Sequence, residues 1–234
     1  TYKGDFPYDY PPYVLNQDRA TGQWWGLESR LLNTSWQGQR WTAGVEYKGN
    51  TRQNQKNEDV GYGCYNVGDA VCLDDRRKSR LFSIYAQDEI TIGDSTYLTL
   101  GLRYDRQNDM PGHWSPRLGL VHQNGSGGTF KFLYATAFSD PTVFQRFYTP
   151  PTFSTGNPDL VPERMRSIDL TWEQRLGSRT QLTSSLYFFK IQDLLGIDAA
   201  TGVSANLPDV NGRGMELELR HRWQNNAALR IGYT

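Results

Sequence analysis

Few residues in this 234-residue sequence could perform catalysis or bind a metal ion. The histidines, His113, His122 and His221, are far apart, and none has the spacing of a zinc site, a catalytic triad or a cysteine–histidine pair. Cys64 and Cys72 are the only cysteines, and two cysteines alone are not a zinc signature. The sequence therefore predicts no enzyme active site and no metal centre.

Cys64 and Cys72 lie in a segment predicted to be a long outer loop. An oxidising compartment favours a disulfide between them, whereas two free thiols or half of a metal site are the alternatives. Asp69, Asp74 and Asp75 could hold a calcium ion in the same loop. Because such sites need six or more oxygens at defined positions, a solvated acidic turn is the simpler interpretation.

Aromatic residues and arginine are concentrated in two further segments predicted to be outer loops, residues 6–13 and 144–153. Aromatic rings can stack on a flat ligand, and arginine can meet its negative charge. An aromatic girdle at a membrane interface, or ordinary loop packing, would produce the same composition. The candidate ligand-binding residues are Tyr8, Tyr10, Tyr13, Phe144, Arg146, Phe147 and Tyr148.

The overall composition limits the class of protein. Twenty-five basic and 25 acidic residues give a net charge of zero and no basic stripe, which argues against nucleic-acid binding. Aromatic residues make up 13% of the chain, which argues against disorder. No apolar run approaches 18 residues, so a transmembrane helix is excluded, whereas transmembrane strands would leave no such run.

Apolar and polar residues alternate with a period of two along several segments, which is typical of β-strands. Leu98, Leu100 and Leu102 fall on one face of such a segment, and Arg103 falls on the other. Most of these segments are long enough to cross a bilayer at a tilt. We predict ten strands, near residues 24–36, 39–48, 80–92, 96–105, 115–123, 129–138, 165–176, 179–191, 213–223 and 227–234.

The connections between these strands alternate in length. Tight links at 37–38, 93–95, 124–128, 177–178 and 224–226 carry turn residues, and the links between them, 49–79, 106–114, 139–164 and 192–212, are long. Outer-membrane barrels sort their loops in this way, with short periplasmic turns and long extracellular loops. The pattern predicts an all-β, antiparallel, up-and-down transmembrane barrel.

In such a barrel the apolar face meets lipid and the charged face lines the interior. Asp88 is an exception, because it shares a face with Ile84 and Ile90. The mixed charges favour a wide barrel that is filled by water or by a polar plug. The predicted lumen-facing residues are Arg103, Arg117, Lys131, Glu173, Glu216, Glu218 and Arg220.

Six short motifs resemble the barrel of TonB-dependent outer-membrane receptors in their order and spacing. They are YAQDE at 85–89, GLRYD at 101–105, SPRLG at 115–119, AFSDP at 137–141, NPDLVPE at 157–163 and GMELE at 214–218. Residues 1–79 match only loosely, through WWGLE at 24–28, and Asp169 replaces the more usual glutamate. The resemblance implies that residues 1–234 are about ten strands of a 22-stranded plugged barrel, without the plug domain and both barrel ends.

The resemblance also implies a function. The whole protein would be a receptor in the outer membrane of a Gram-negative bacterium, among lipid and lipopolysaccharide. It would take up a scarce ligand, a ferric siderophore above all, with energy from the TonB–ExbB–ExbD system. The alternatives are a passive porin, an omptin-like outer-membrane protease that would require His113, and a soluble β-sandwich binding module.

Overall fold

The computed structural model describes residues 2–10, 14–60, 71–150 and 155–234, nearly all of them in antiparallel strands. No helix in these four ranges is long and apolar enough to span a membrane. In chain order the elements are β1 (Tyr2–Tyr10), β2 (Val14–Asn33), β3 (Gln39–Val60), β4 (Val71–Ile92), β5 (Thr96–Gln107), β6 (His113–Gln123), β7 (Gly128–Ser139), α1 (Val143–Phe147), β8 (Glu163–Leu176), β9 (Thr180–Gln192), β10 (Leu194–Ile197), β11 (Ser204–Leu207), β12 (Val210–Arg222) and β13 (Ala228–Tyr233).

Eleven of these strands form one up-and-down sheet in the order β1 to β9, then β12 and β13. The remaining pair, β10 and β11, forms a separate hairpin between β9 and β12. The edge strands are β1 and β13, so the sheet is not closed into a barrel. The predicted all-β, up-and-down architecture is confirmed, but β1 and the β10–β11 hairpin were predicted to be loops.

One face of the sheet is apolar across many strands. Leu118 pairs with Tyr134, Tyr134 with Ile168, and Ile168 with Phe188, so these four side chains lie side by side on one face of β6 to β9. We call this surface the apolar face. Leu31, on β2, is 75% exposed, and nothing in the described chain covers it.

The opposite face is polar. Lys131 pairs with Thr171, Thr171 with Ser185, and Ser185 with Glu216, which gives a polar row across β7, β8, β9 and β12. We call this surface the polar face. Side chains alternate along each strand, so the register that aligns the apolar rows necessarily aligns the polar ones.

Paired aromatic rings border the apolar face. At the end where the links are long, the ring centroids of Tyr104 and Trp114 are 4.8 Å apart. At the end with tight turns, those of Trp36 and Trp41 are 5.8 Å apart. Aromatic girdles on both sides of an apolar band are typical of membrane barrels, because these amphipathic rings prefer the lipid headgroup level.

The strands β2, β3 and β4 are longer than predicted, with 20, 22 and 22 residues. The last residue of β5, Gln107, pairs with Leu81, so β4 extends beyond β5 by residues 71–80. Most of the predicted loop 49–79 is therefore strand, although residues 61–70 lie outside the described chain. We call residues 14–23, 50–60 and 71–80 the projection.

The projection is charged on the surface that continues the apolar face. Arg19 pairs with Glu58 at 3.1 Å, and Arg76 pairs with Asp74 at 2.7 Å. A strand with polar residues on both faces has no side suited to hydrocarbon. The projection therefore differs from the apolar face below it and extends beyond β5 at the end with long links.

Glycine on the polar face makes room for aromatic rings on the neighbouring strand. Gly214 pairs with Tyr187, and a Cβ at Gly214 would overlap the Tyr187 ring. We expect Gly214→Ala to lower the free energy of unfolding by about 1–3 kcal/mol, because the ring must move.

Gly119 provides the matched control for Gly214→Ala. It lies in the same row of the sheet, where a Cβ would meet only Thr99 at 3.6 Å. In a denaturant titration, Gly119→Ala should change stability by less than about 1 kcal/mol. Equal effects of the two substitutions would contradict the prediction.

Candidate ligand-binding site

The helix α1 lies in the long link between β7 and β8 and is fixed at its first turn by a capping box. The backbone N–H of Gln145 donates to the Thr142 hydroxyl at 3.2 Å, and the Thr142 N–H donates to the Gln145 side chain at 2.9 Å. These two bonds satisfy donors that a helix start otherwise leaves open. A link predicted only to be a long outer loop thus contains a defined helical turn.

Polar side chains attach α1 to the projection. The Tyr148 hydroxyl donates to an Asp18 carboxylate oxygen, and the Asn57 amide donates to the same oxygen at 2.8 Å. The Gln55 amide donates to the Val143 carbonyl at 3.2 Å. Tyr148 is 7% exposed and Asn57 is 5% exposed, so these bonds are shielded from water. We call α1 together with the projection the platform.

Four of the predicted ligand-binding residues, Phe144, Arg146, Phe147 and Tyr148, lie on the platform, together with Arg77, which was not predicted. The guanidinium carbon of Arg77 is 3.2 Å from the Phe147 ring centroid, and that of Arg146 is 4.6 Å from it. Phe144 stacks on Tyr148 at 4.6 Å and is 51% exposed. The platform therefore presents one exposed aromatic ring, Phe144, and a second ring, Phe147, that lies against two guanidinium groups, whereas Tyr148 serves as a packing residue.

The β10–β11 hairpin extends the platform at the same end of the sheet. The Asn206 amide donates to the Val161 carbonyl at 2.9 Å and accepts from the Val161 N–H at 3.0 Å. The Ser204 N–H donates to the Thr155 carbonyl at 2.8 Å. The two long links are thus joined to each other by direct hydrogen bonds.

All seven predicted lumen-facing residues lie on the polar face. Arg103 pairs with Asp105 and with Glu46, both at 2.8 Å, and Lys131 pairs with Glu173 at 2.6 Å. Glu218 pairs with Arg220 and with Arg230. Arg117 and Glu216 form no ion pair with another described residue. That this face encloses a lumen stays a prediction.

The other predicted contacts are only partly described. Tyr8 and Tyr10 lie in β1, where they pair with Asn16 and Val14 of β2, so they belong to a strand and not to the predicted loop. Pro7 fits this edge strand, because an edge strand can lack one hydrogen-bond donor. Tyr13 lies outside the described residues.

The predicted disulfide and acidic turn also fall partly outside the described chain. Cys72 lies in β4 and is disulfide-bonded, but Cys64 lies outside the described residues, so their pairing stays a prediction. Asp69 lies outside as well. Asp74 and Asp75 lie in β4, paired with Arg76 and Arg77, and not in the predicted acidic turn. No metal-binding cluster of histidine, cysteine or carboxylate occurs among the residues that can be described.

Sequence reasoning missed the residues that hold the platform together, namely Asp18, Gln55, Asn57 and Arg77. They lie in segments without an apolar–polar alternation, which had therefore been assigned to loops. The available signal was the run of polar residues at 50–59, which is too long for a tight turn and continuous with a strong strand. Alternation is lost wherever both faces of a strand meet water.

His113 and Asp140 meet where β6 begins and β7 ends. Their side-chain atoms Nε2 and Oδ1 are 3.9 Å apart, and neither atom has a hydrogen-bond partner within the described ranges. The His113 ring stacks on Phe138 at 4.4 Å, and both polar side chains are less than one-fifth exposed. The pair is partly buried and stacked on Phe138, and no second histidine lies within its described contacts.

Burial raises the pKa of the Asp140 carboxyl, an effect that the positive charge of His113 opposes. The folded chain therefore holds this proton to a higher pH than the unfolded chain. The resulting stabilisation is complete below the ordinary carboxyl pKa of about 4 and is lost as the pH rises through the raised value. We expect Asp140→Asn to be more stable than wild type at pH 7, by about 1 kcal/mol, and to match it at low pH. Denaturant titrations across pH would test this. Repeating the comparison of wild type with Asp140→Asn in a His113→Gln background would show how much of the difference depends on the His113 side chain.

The comparisons with known proteins agree with this architecture. The family model described as "TonB dependent receptor-like, beta-barrel" matches residues 1–234. The probable TonB-dependent siderophore receptor PirA of Acinetobacter baumannii is 31% identical over 122 residues, which are 50% of this chain and 16% of that protein. The ferrienterobactin receptor of Escherichia coli K12 is 34% identical over 80 residues, 33% of this chain and 11% of that protein.

Solved structures share the fold at lower identity. The siderophore receptor PirA from Pseudomonas aeruginosa superimposes with a TM-score of 0.64 at 19% identity, over 94% of this chain and 44% of that chain. The match thus covers less than half of that structure, and the sequence matches cover smaller shares of the curated relatives. Those relatives are receptors by name, not enzymes.

Proposed function

We propose, from the premise that this chain belongs to the TonB-dependent receptor β-barrel family, that it forms part of the wall and the outer loops of a receptor for a ferric siderophore. The family consists of outer-membrane barrels, and the apolar face with its aromatic borders fits a lipid contact. The receptor would lie in the outer membrane of a Gram-negative bacterium, among lipid and lipopolysaccharide. The family assignment leaves no support for the soluble sandwich.

The class of ligand is inferred from the platform. It exposes Phe144 and holds Phe147 against the guanidinium groups of Arg77 and Arg146. Ferric complexes of catecholate siderophores are aromatic and negatively charged. Stacking on an aromatic side chain and attraction to arginine would therefore act on the same ligand. One relative named as a probable siderophore receptor and one named as a ferrienterobactin receptor support this ligand class.

The proposed mechanism divides the work between the chain and the rest of the receptor. The platform captures the ligand at the extracellular end, and the charged polar face forms the wall along which the ligand passes. The TonB–ExbB–ExbD system of the inner membrane supplies energy through the plug domain that the family resemblance implies. The residues of this chain thus bind and guide the ligand, and no chemical step is assigned to them.

Uptake of radiolabelled iron by cells that express the whole receptor would test the proposal. We expect uptake of a ferric catecholate that requires TonB, saturates at low ligand concentration and stops when the proton-motive force is dissipated. A ferric hydroxamate and haem with labelled iron, and cobalamin and a sugar with labels of their own, serve as matched ligands of other chemistry. TonB-dependent uptake of one of these instead of the catecholate would correct the ligand and retain the receptor.

The two other functions make different predictions. A porin would pass small solutes without TonB and without saturation at low concentration. A protease of the omptin kind would cleave peptides at the cell surface, and His113→Ala would abolish the cleavage. Either result would overturn the proposed receptor function.

A further inference from the structure

A buried carboxylate interrupts the apolar face near its tight-turn end. Asp88 lies on β4 directly opposite Trp41 of β3 and Leu100 of β5. It is 6% exposed, and its Oδ1 atom has no hydrogen-bond partner in the described part of the chain. An unpaired carboxylate in an apolar setting is costly, so this position requires a partner.

The carboxylate lies in a groove that opens on the apolar face. The groove has a volume of about 420 Å³, and its side walls include Ala86, Leu102, Leu118 and Tyr134. Leu102 is 47% exposed, so the groove lies open on the surface that faces lipid. A groove of this size can receive an alkyl chain, but an alkyl chain alone would leave the Asp88 oxygen unpaired.

The depth of Asp88 limits what its partner can be. Asp88 lies four residues before the end of β4 at Ile92, which is roughly 13 Å of strand and less when the strand is tilted. Its neighbour Trp41 belongs to the aromatic border at the tight-turn end, where rings lie at the level of the headgroups. In outer-membrane barrels the tight turns face the periplasm, so these headgroups belong to the inner, phospholipid leaflet.

We propose that this groove is a binding site for a phospholipid with a primary ammonium headgroup, such as phosphatidylethanolamine. The ammonium group donates a hydrogen bond to the Asp88 carboxylate, and an acyl chain fills the groove between Leu102 and Leu118. Charge complementarity selects this lipid class, because a quaternary ammonium headgroup has no N–H to donate and an anionic headgroup is repelled. The inference depends on the membrane placement of the apolar face and not on the ligand that the receptor takes up.

Native mass spectrometry of the whole receptor, titrated with defined lipids in mild detergent, tests the site. We expect wild type to bind phosphatidylethanolamine at least about 10-fold more tightly than phosphatidylcholine with the same acyl chains. Asp88→Asn should abolish this preference. Asp94→Asn is the matched control, because it makes the same change in an exposed turn at the same end, and it should keep the preference.

A second variant tests the groove apart from the charge. Leu102→Trp should weaken the binding of both lipids while the preference for the ethanolamine lipid remains. Equal binding of the two lipids by wild type would overturn the proposal, and so would an unchanged preference in Asp88→Asn. If a protein that inserts a lysine side chain were found bound in this groove instead of a lipid, the proposal would also be overturned. Iron uptake is measured separately, so a failure here leaves the proposed receptor function intact.

Discussion

Replacement of Arg103 by alanine is expected to lower the free energy of unfolding by about 3 kcal/mol, because it leaves a buried carboxylate without its cation. Asp105 is 4% exposed and accepts hydrogen bonds from Arg103 Nε at 2.9 Å and from the Ser83 hydroxyl at 2.6 Å. Arg103 also bridges to Glu46 across two strands. Without the guanidinium group, the carboxylates of Glu46 on β3 and Asp105 on β5 would be left with only the Ser83 hydroxyl of β4 between them. Urea unfolding of the receptor in detergent or lipid would measure the loss.

Arg117 provides the matched control for this prediction. It lies on the same polar face one strand away, and it makes no ion pair or side-chain hydrogen bond with another described residue. Arg117→Ala should therefore change the stability by less than about 0.5 kcal/mol. Adding Asp105→Asn to Arg103→Ala should restore part of the loss, because a neutral amide needs no cation. If the two alanine variants lost equal stability, or the double variant showed no recovery, the proposed charge network would be wrong.

Replacement of Asn57 by leucine is expected to weaken binding of a ferric catecholate by about 10-fold or more, although Asn57 does not face the open side of the platform. Its amide connects Asp18 of β2, and Asn16 beside it, to Tyr148 after α1. Without that amide the helix detaches more readily from the projection. Because the ligand binds only molecules in which the platform is assembled, the apparent affinity falls with the fraction of such molecules. Titration with the ferric ligand would measure the affinity, and hydrogen exchange should show faster opening of residues 140–150.

Asn54 is the matched control on the same strand. It lies three residues away on the opposite face, and its side chain has no hydrogen-bond partner among the residues described. Asn54→Leu should leave both the affinity and the exchange of residues 140–150 unchanged. Faster exchange with unchanged affinity in Asn57→Leu would separate the platform from ligand binding and would contradict the proposed role of α1.

The sequence was sufficient for the parts of the fold that repeat locally. Alternation along Leu98, Leu100 and Leu102 identified β5 and the face on which each side chain lies, and the register in the structure aligns them as predicted. The same rule placed Arg103 on the polar face and Asp88 among apolar residues. Tight turns and long links could be located because glycine, asparagine and serine favour turns through backbone angles and hydrogen bonds that involve only three or four consecutive residues. These features depend on neighbours in the chain, so no tertiary structure was needed.

Only the tertiary structure determined which parts of the long segments are strands and what they contact. The projection has polar residues on both faces, so alternation could not distinguish its strands from loops, and only pairing with the neighbouring strand defines them. The contact between Tyr148 and Asp18 joins residues that are 130 positions apart, and the partner of Asp105 depends on the register of two strands. Such contacts arise because closing a long link costs entropy, which only the contacts of the assembled sheet offset. The motifs therefore predicted the family and the two faces, whereas the platform exists only in the folded chain.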